Sequence, residues 1–210
     1  MYMDKPLRDF LLDTFSRTPT PGGGSVAALT GALGASVLGM VANYTLSKKK
    51  FKSVEGRIKE ILKELEEKRD RLSELIQKDI DAYQNFSKVM GMPKDTFEER
   101  EARTRALQSS LKEASEVPLA TASVSFRLIK IAYELLSKSN PNLISDVGVG
   151  VILAWATLES AALNVEINLS SIKDSSFVEK KRRSLSLLLS EGKKIKEEVV
   201  KKVKEKISSK

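Results

Sequence analysis

Apolar residues recur along this chain at intervals of three and four, and no strand-length stretch alternates apolar with polar. That period belongs to amphipathic helices and predicts an all-α fold. Leu7, Phe10, Leu11 and Phe15 predict a short first helix, ended by a Thr-Pro turn. The turn continues through Pro19, Pro21 and three consecutive glycines, Gly22, Gly23 and Gly24. A run with this composition does not extend a helix. Ser25 then stands as the expected N-cap of a second helix, apolar nearly throughout and reaching to about Ser47. The spacing predicts a third, long helix from about Val54 to Met90, stopped by Gly91-Met92-Pro93. Asp95, with Glu98 three residues on, predicts the next start, and a charged helix to about Glu116. Pro118 is expected to kink or interrupt it before an apolar continuation from Leu119 to Ser137. After the turn at Ser139-Asn140-Pro141-Asn142, a fifth pattern runs to about Ile172, with Ser145 or Asp146 as its expected cap. A basic amphipathic helix from Phe177 to Ile207 closes the chain. No repeat, linker or composition break divides residues 1–210, which read as one domain.

Two of these helices carry rows of small residues. Ala27, Gly31, Ala35 and Gly39 fall on one face of the second helix, with Asn43 next in the row. Ala156, Ser160, Asn164 and Asn168 form the matching row on the fifth. Small side chains let two backbones approach closely, so the rows read first as core packing. If the two helices pack together, their amides and the loops that open them line one pocket. The start of the second helix also offers backbone N–H groups at the positive end of a helix dipole, where an anionic or electron-rich ligand can sit. The glycines match neither a phosphate-binding P-loop nor a dinucleotide fingerprint.

The chain holds no cysteine and no histidine. Disulfides, thiolate metal sites, Cys nucleophiles and imidazole acid–base chemistry are therefore excluded, and no metal site is expected. Proton transfer falls to carboxylates, Lys or Tyr. Asp79 is notable because it sits within the apolar stripe Leu72, Ile76, Tyr83, Phe86 and Met90. An acid there is either salt-bridged for structure or used. Asp146 is either a helix cap or a second functional acid. The net charge of +8 suits a small polyanion as well as nucleic acid, but the aromatic residues are few and show no stacking pattern. The segment from Val26 to Leu46 is long enough to cross a bilayer, yet its Ala, Gly, Ser and Thr content and Asn43 favour a buried core helix. No membrane or nucleic-acid partner is expected, and with no secretory signal the chain reads as cytoplasmic.

Six segments occur in an order that resembles one family: Pro21-Gly22-Gly23-Gly24-Ser25-Val26-Ala27-Ala28, Met40-Val41-Ala42-Asn43 with the following Lys run, Asp79-x-x-Ala82-Tyr83, Met92-Pro93-Lys94 with Val117-Pro118, Ser145-Asp146-Val147-Gly148-Val149, and Asn164-Val165-x-Ile167-Asn168-Leu169. Together they resemble the formiminotetrahydrofolate cyclodeaminases, a family that includes the C-terminal half of formiminotransferase-cyclodeaminase and stand-alone methenyltetrahydrofolate cyclohydrolases. The resemblance implies a bundle of long, mostly antiparallel helices that dimerises through helix faces, with a folate site near the subunit interface and no tightly bound cofactor. It implies closure of 5-formiminotetrahydrofolate to 5,10-methenyltetrahydrofolate with loss of ammonia. The alternatives are hydrolysis of the methenyl bridge or a non-catalytic folate-binding protein. On this reading Asp79 and Asp146 move protons, and Asn43, Asn164 and Asn168 orient the pterin. Lys48, Lys49 and Lys50 meet the glutamate tail, single or polyglutamyl, and Gly22 to Ser25 approach the ligand by backbone.

Overall fold

A computed structural model describes residues 2–46 and 48–209. Among these, six α-helices and short 3-10 turns account for the regular structure, and no strand is present. The helices are α1 (Leu7–Phe15), α2 (Gly23–Thr45), α3 (Glu55–Met90), α4 (Phe97–Lys138), α5 (Ile144–Leu169) and α6 (Ser175–Ser208). Helices α2, α3, α4 and α5 form a ring in which each packs on the next and α5 returns to α2, while α6 lies over α4 and α5. Short α1 covers one edge, where Phe10 faces Leu29 and Ile76.

Neighbours in the ring run antiparallel. Gly31 of α2 lies against Leu72 of α3 and Thr157 of α5, and further along α2 Gly34 meets the backbone of Gly150 and Ala154. Of the row expected on α2, Gly31 takes part in this packing while Gly39 faces open space; on α5 the contacts come from Gly150, Ala154 and Thr157, outside the expected row, whose Ala156 is exposed. A Cβ on Gly34 would sit 3.4 Å from the Gly150 carbonyl oxygen, and one on Gly150 would come within 2.5 Å of Leu38. A side chain at Gly150 would overlap Leu38, and one at Gly34 would press on Leu153, Ala154 and the Gly150 carbonyl. The charged stripe of α3 is only partly a solvated face. Glu55 and Lys59 pair one turn apart, but Arg57 reaches Glu134, and Glu64 accepts from Nε and Nη2 of Arg127 at 2.6 and 2.7 Å across the α3–α4 seam. α2 and α5 are apolar enough and long enough to cross a membrane, and most of α2 is instead buried by its neighbours.

Several helix limits differ from the expectations. The triple glycine does not stay outside α2: Gly22 is the N-cap, Gly23 and Gly24 form the first turn, and Ser25 is inside the helix. Ser47, the expected end of α2, lies outside the described residues, and the helix finishes at Thr45. Thr96 rather than Asp95 caps α4, in a reciprocal capping box with Glu99. Neither Ser145 nor Asp146 caps α5. The 3-10 turn Pro141–Leu143 runs directly into the helix, and Asn140 supplies the capping side chain, to the amide of Asn142. The largest difference is at Pro118, which lies inside a continuous 42-residue α4. Proline deprives the carbonyl four residues back of its helical N–H. That carbonyl belongs to Ala114, and Asn168 of α5 donates to it at 3.3 Å. The bond missing from α4 is made from the neighbouring helix, and no break is needed.

Candidate functional site

Because α2 runs antiparallel to both α3 and α5, its N-terminus meets the C-terminal halves of both. A cavity of about 420 Å³ opens there. Pro19, Thr20 and Gly22 to Gly24 form one wall, Asp79, Ala82, Tyr83 and Phe86 of α3 another, and Leu111 and Ala114 of α4 the floor. Asn164, Ile167 and Asn168 of α5, with Ser171 beyond it, complete the lining.

Asp79 is the chemically distinctive group. Its carboxylate lies so close to Gly24 that a Cβ there would be 2.1 Å from Oδ1 and 2.6 Å from Cγ. The Ser25 hydroxyl donates to Oδ2 at 2.8 Å, and the Ser25 backbone amide also holds the carboxylate. The N–H groups expected to receive an anionic ligand are thus partly occupied by the chain's own anion. Burial pushes the Asp79 carboxyl above the ordinary aspartate range, and the Ser25 hydroxyl and amide pull it partly back. Among the described residues no cation is paired with it. The reading of Asp79 as a salt-bridged structural acid therefore does not describe this site. Ser25 itself is fully buried and stands behind the cavity wall. It orients Asp79 and does not line the cavity.

The two α5 amides are also held. Asn164 donates from Nδ2 to the Ser160 carbonyl at 2.8 Å. Asn168 donates from Nδ2 to Ala114 at 3.3 Å and to Asn164 at 3.0 Å. Tyr83, one helical turn from Asp79, brings its phenol to the same space, and Phe86 adds an aromatic wall. The sequence placed both on the Asp79 stripe, but nothing in the periodicity singled them out from core residues. Asp79 and Tyr83 are the titratable groups of the lining.

The other anticipated residues lie elsewhere in the chain. Asn43 sits near the C-terminal end of α2, beside a separate hollow with Met40, Tyr44, Glu66 and Arg69. Lys48 to Lys50 follow it, exposed. Asp146 is in the first turn of α5, where its side chain makes no hydrogen bond or ion pair among the described residues. At about 1.5 Å per residue, Asp146 is about 27 Å along the helix from Asn164. Within one chain the two acids are not neighbours: α2 and α5 pack as expected, but in opposite directions, so each end of the pair collects half of the set.

The model of the family described as "Formiminotransferase-cyclodeaminase" matches residues 6–186. A methenyltetrahydrofolate cyclohydrolase of Methylorubrum extorquens is 40% identical over 205 residues, covering 98% of this chain and 99% of that one. The formimidoyltransferase-cyclodeaminase of Sus scrofa is 34% identical over 191 residues, 91% of this chain, which spans only 35% of the pig protein's length. Among solved structures, a formiminotetrahydrofolate cyclodeaminase from Thermotoga maritima superposes with a TM-score of 0.82 at 31% identity, covering 100% of this chain and 98% of that one. Fold, sequence and the six ordered segments agree, and the chain belongs to the formiminotransferase-cyclodeaminase family.

Proposed function

We propose that this chain closes 5-formiminotetrahydrofolate to 5,10-methenyltetrahydrofolate and releases ammonia. The observation that carries the reading is Asp79, a carboxylate raised by burial, fixed by Ser25 and facing a cavity walled by the glycine turn and the α5 amides. In the protonated formimino group, N10 attacks the formimino carbon and forms the new C–N bond. N10 loses its proton, the bond to the former imino nitrogen breaks, and that nitrogen leaves as ammonia. The proton lost at N10 equals the one gained by the leaving nitrogen. One carboxylate can therefore take it and hand it on, and a raised pKa suits both halves of the task. Attack is intramolecular, so holding the folate in a reactive shape is the remaining requirement.

Hydrolysis of the methenyl bridge is the second reading, favoured by the cyclohydrolase of Methylorubrum extorquens that matches along its full length. There Asp79 takes a proton from water as it adds to the methenyl carbon. The hydroxyl proton of that adduct passes to the departing nitrogen as one C–N bond opens to leave a formyl group, and the proton held by Asp79 goes to solvent.

The proposal extends to a pair of chains. The outer face of α2 and α5 exposes Leu33, Met40, Tyr44, Ile152, Leu163 and Ile167, with Leu163 74% exposed. Exposed apolar side chains on these two helices suit an interaction site. A two-fold axis lying in this face and crossing the helices sets the Asp146 end of one chain over the cavity of the other. Asn43 and Lys48 to Lys50 then come within reach of a folate and its carboxylate tail.

The test follows methenyltetrahydrofolate by absorbance from both sides. Its appearance from 5-formiminotetrahydrofolate supports the main reading. Its consumption, with no turnover of the formimino compound, supports the second. A protein inert toward both is not a folate-converting enzyme.

A further inference from the structure

We propose that Pro118 is a positioning residue: it fixes Asn168 as a hydrogen-bond acceptor, so that the α5 wall of the cavity reads the donor-bearing edge of the pterin ring. This rests on the folate reading above and specifies which end of the substrate enters.

The argument begins with a missing proton. Pro118 has no N–H to give the Ala114 carbonyl, and Ala114 lies on the cavity floor. The Asn168 amide supplies that donor, and also donates to the Asn164 carbonyl. A carbonyl oxygen only accepts, so the atom of Asn168 facing these two oxygens is its nitrogen. The amide therefore has one orientation, with Oδ1 turned away from both. Asn164 is fixed in the same manner by Ser160. Neither Oδ1 has a partner among the described residues, and both residues line the cavity. With the Asp79 carboxylate, the side chains whose hydrogen-bonding sense is fixed all present acceptors. The hydroxyls of Thr20, Tyr83 and Ser171 can act in either sense.

A ligand for this wall must bring N–H groups and little negative charge. The tetrahydropterin ring does so through its 2-amino group and N3–H. The glutamate end brings carboxylates, which Asp79 repels, and among the described residues no lysine or arginine lines the cavity to receive them. The ring goes in and the tail points out.

Calorimetric titration of the full chain with tetrahydrofolate and with 2-desamino-2-methyltetrahydrofolate tests this. The analogue keeps the shape but lacks the 2-amino donors. Wild type should prefer tetrahydrofolate by about tenfold, the contribution of one or two hydrogen bonds. Pro118→Ala gives Ala114 its own helical N–H and removes one of the two acceptors that hold the Asn168 amide, leaving the bond to the Asn164 carbonyl. Its melting temperature should hold or rise while the preference falls to about fivefold or less. Asn168→Leu should lose the preference as well. Because it strands the Ala114 carbonyl, it is also made in the Pro118→Ala background, where the double variant should match Asn168→Leu alone. A Pro118→Ala protein with the wild-type preference overturns the positioning role, whatever its stability. A wild type that binds both ligands equally overturns the assigned orientation. A wild type that binds neither removes the folate reading itself, and this inference with it.

Discussion

Replacing Gly24 by alanine isolates the contact on which the proposed chemistry depends. The new methyl carbon would stand 2.1 Å from Asp79 Oδ1 and 2.6 Å from its Cγ, well inside van der Waals contact, so the carboxylate must swing away. Its bonds from the Ser25 hydroxyl and amide are then lost. Hydrogen bonds to a charged group contribute about 1.5–3 kcal/mol each, or about 3–6 kcal/mol for the pair. Rehydration of the released carboxylate returns much of this, and alanine is favoured over glycine in a helix by about 1 kcal/mol. Because burial costs this carboxylate more than the Ser25 bonds return, its release leaves little net change, within about 1 kcal/mol or about 2–4 °C in Tm for a chain of this length. Turnover should fall far more, by about 10²–10⁴-fold, the contribution of a positioned proton carrier. Gly23→Ala is the control. Its methyl would lie 3.9 Å from the Asn164 amide, an ordinary contact, and most activity should survive. The methenyltetrahydrofolate assay and thermal melts of both variants decide the matter. If the two alanine proteins share one activity, high or low, the role given to the Asp79–Gly24 contact is wrong.

Three further outcomes follow from the same structure. Asp79→Asn should melt no lower than wild type at neutral pH while losing about 10²–10⁴ in turnover. Because its folded-state pKa is raised, the native protein binds this proton more tightly than the unfolded chain. Asp79 therefore lowers stability as pH rises from about 3.9 through its native value, a slope the Asn variant should lack in pH-dependent melts. Glu64 has the opposite sign: the Arg127 hydrogen bonds hold its carboxyl below the usual range. Its stabilisation, about 1 kcal/mol, is present above the unfolded value of about 4.3 and vanishes as pH falls through the native value. Glu64→Gln melts should show less acid sensitivity, and unchanged acid sensitivity would refute the pairing. Leu163→Glu should leave the fold intact, convert a dimer to monomers in sedimentation, and abolish turnover. A fully active monomeric variant would exclude the paired site.

The sequence carried the fold well where local chemistry and packing agree. The α3 pattern ends at Met90 because Gly91-Met92-Pro93 allows nothing else, and the structure stops the helix there. Pro118 misleads because proline's cost is usually paid by a break, and only the three-dimensional position of Asn168 shows another remedy. At α4, Asp95 and Thr96 offer nearly the same capping signal, and pattern alone does not choose between adjacent residues. The site was half legible. An acid in an apolar stripe is visible without coordinates, and so are two amides at the end of a small-residue row. What periodicity does not encode is direction. A row of small residues says that two helices touch, not which ends come together, and so Asp79 and Asp146 looked like neighbours when one chain separates them.

The seam between α2 and α5 has a mechanical consequence. Gly34 and Gly150 bring the two backbones into near contact, and Leu38 fills the space a side chain at 150 would need. Nothing compressible lies between the helices, so they shift together as one strut. A molecule that seats at the Asp146 end and displaces it by a fraction of an ångström therefore moves the amides at the far end by the same stroke, with no relay of side chains in between.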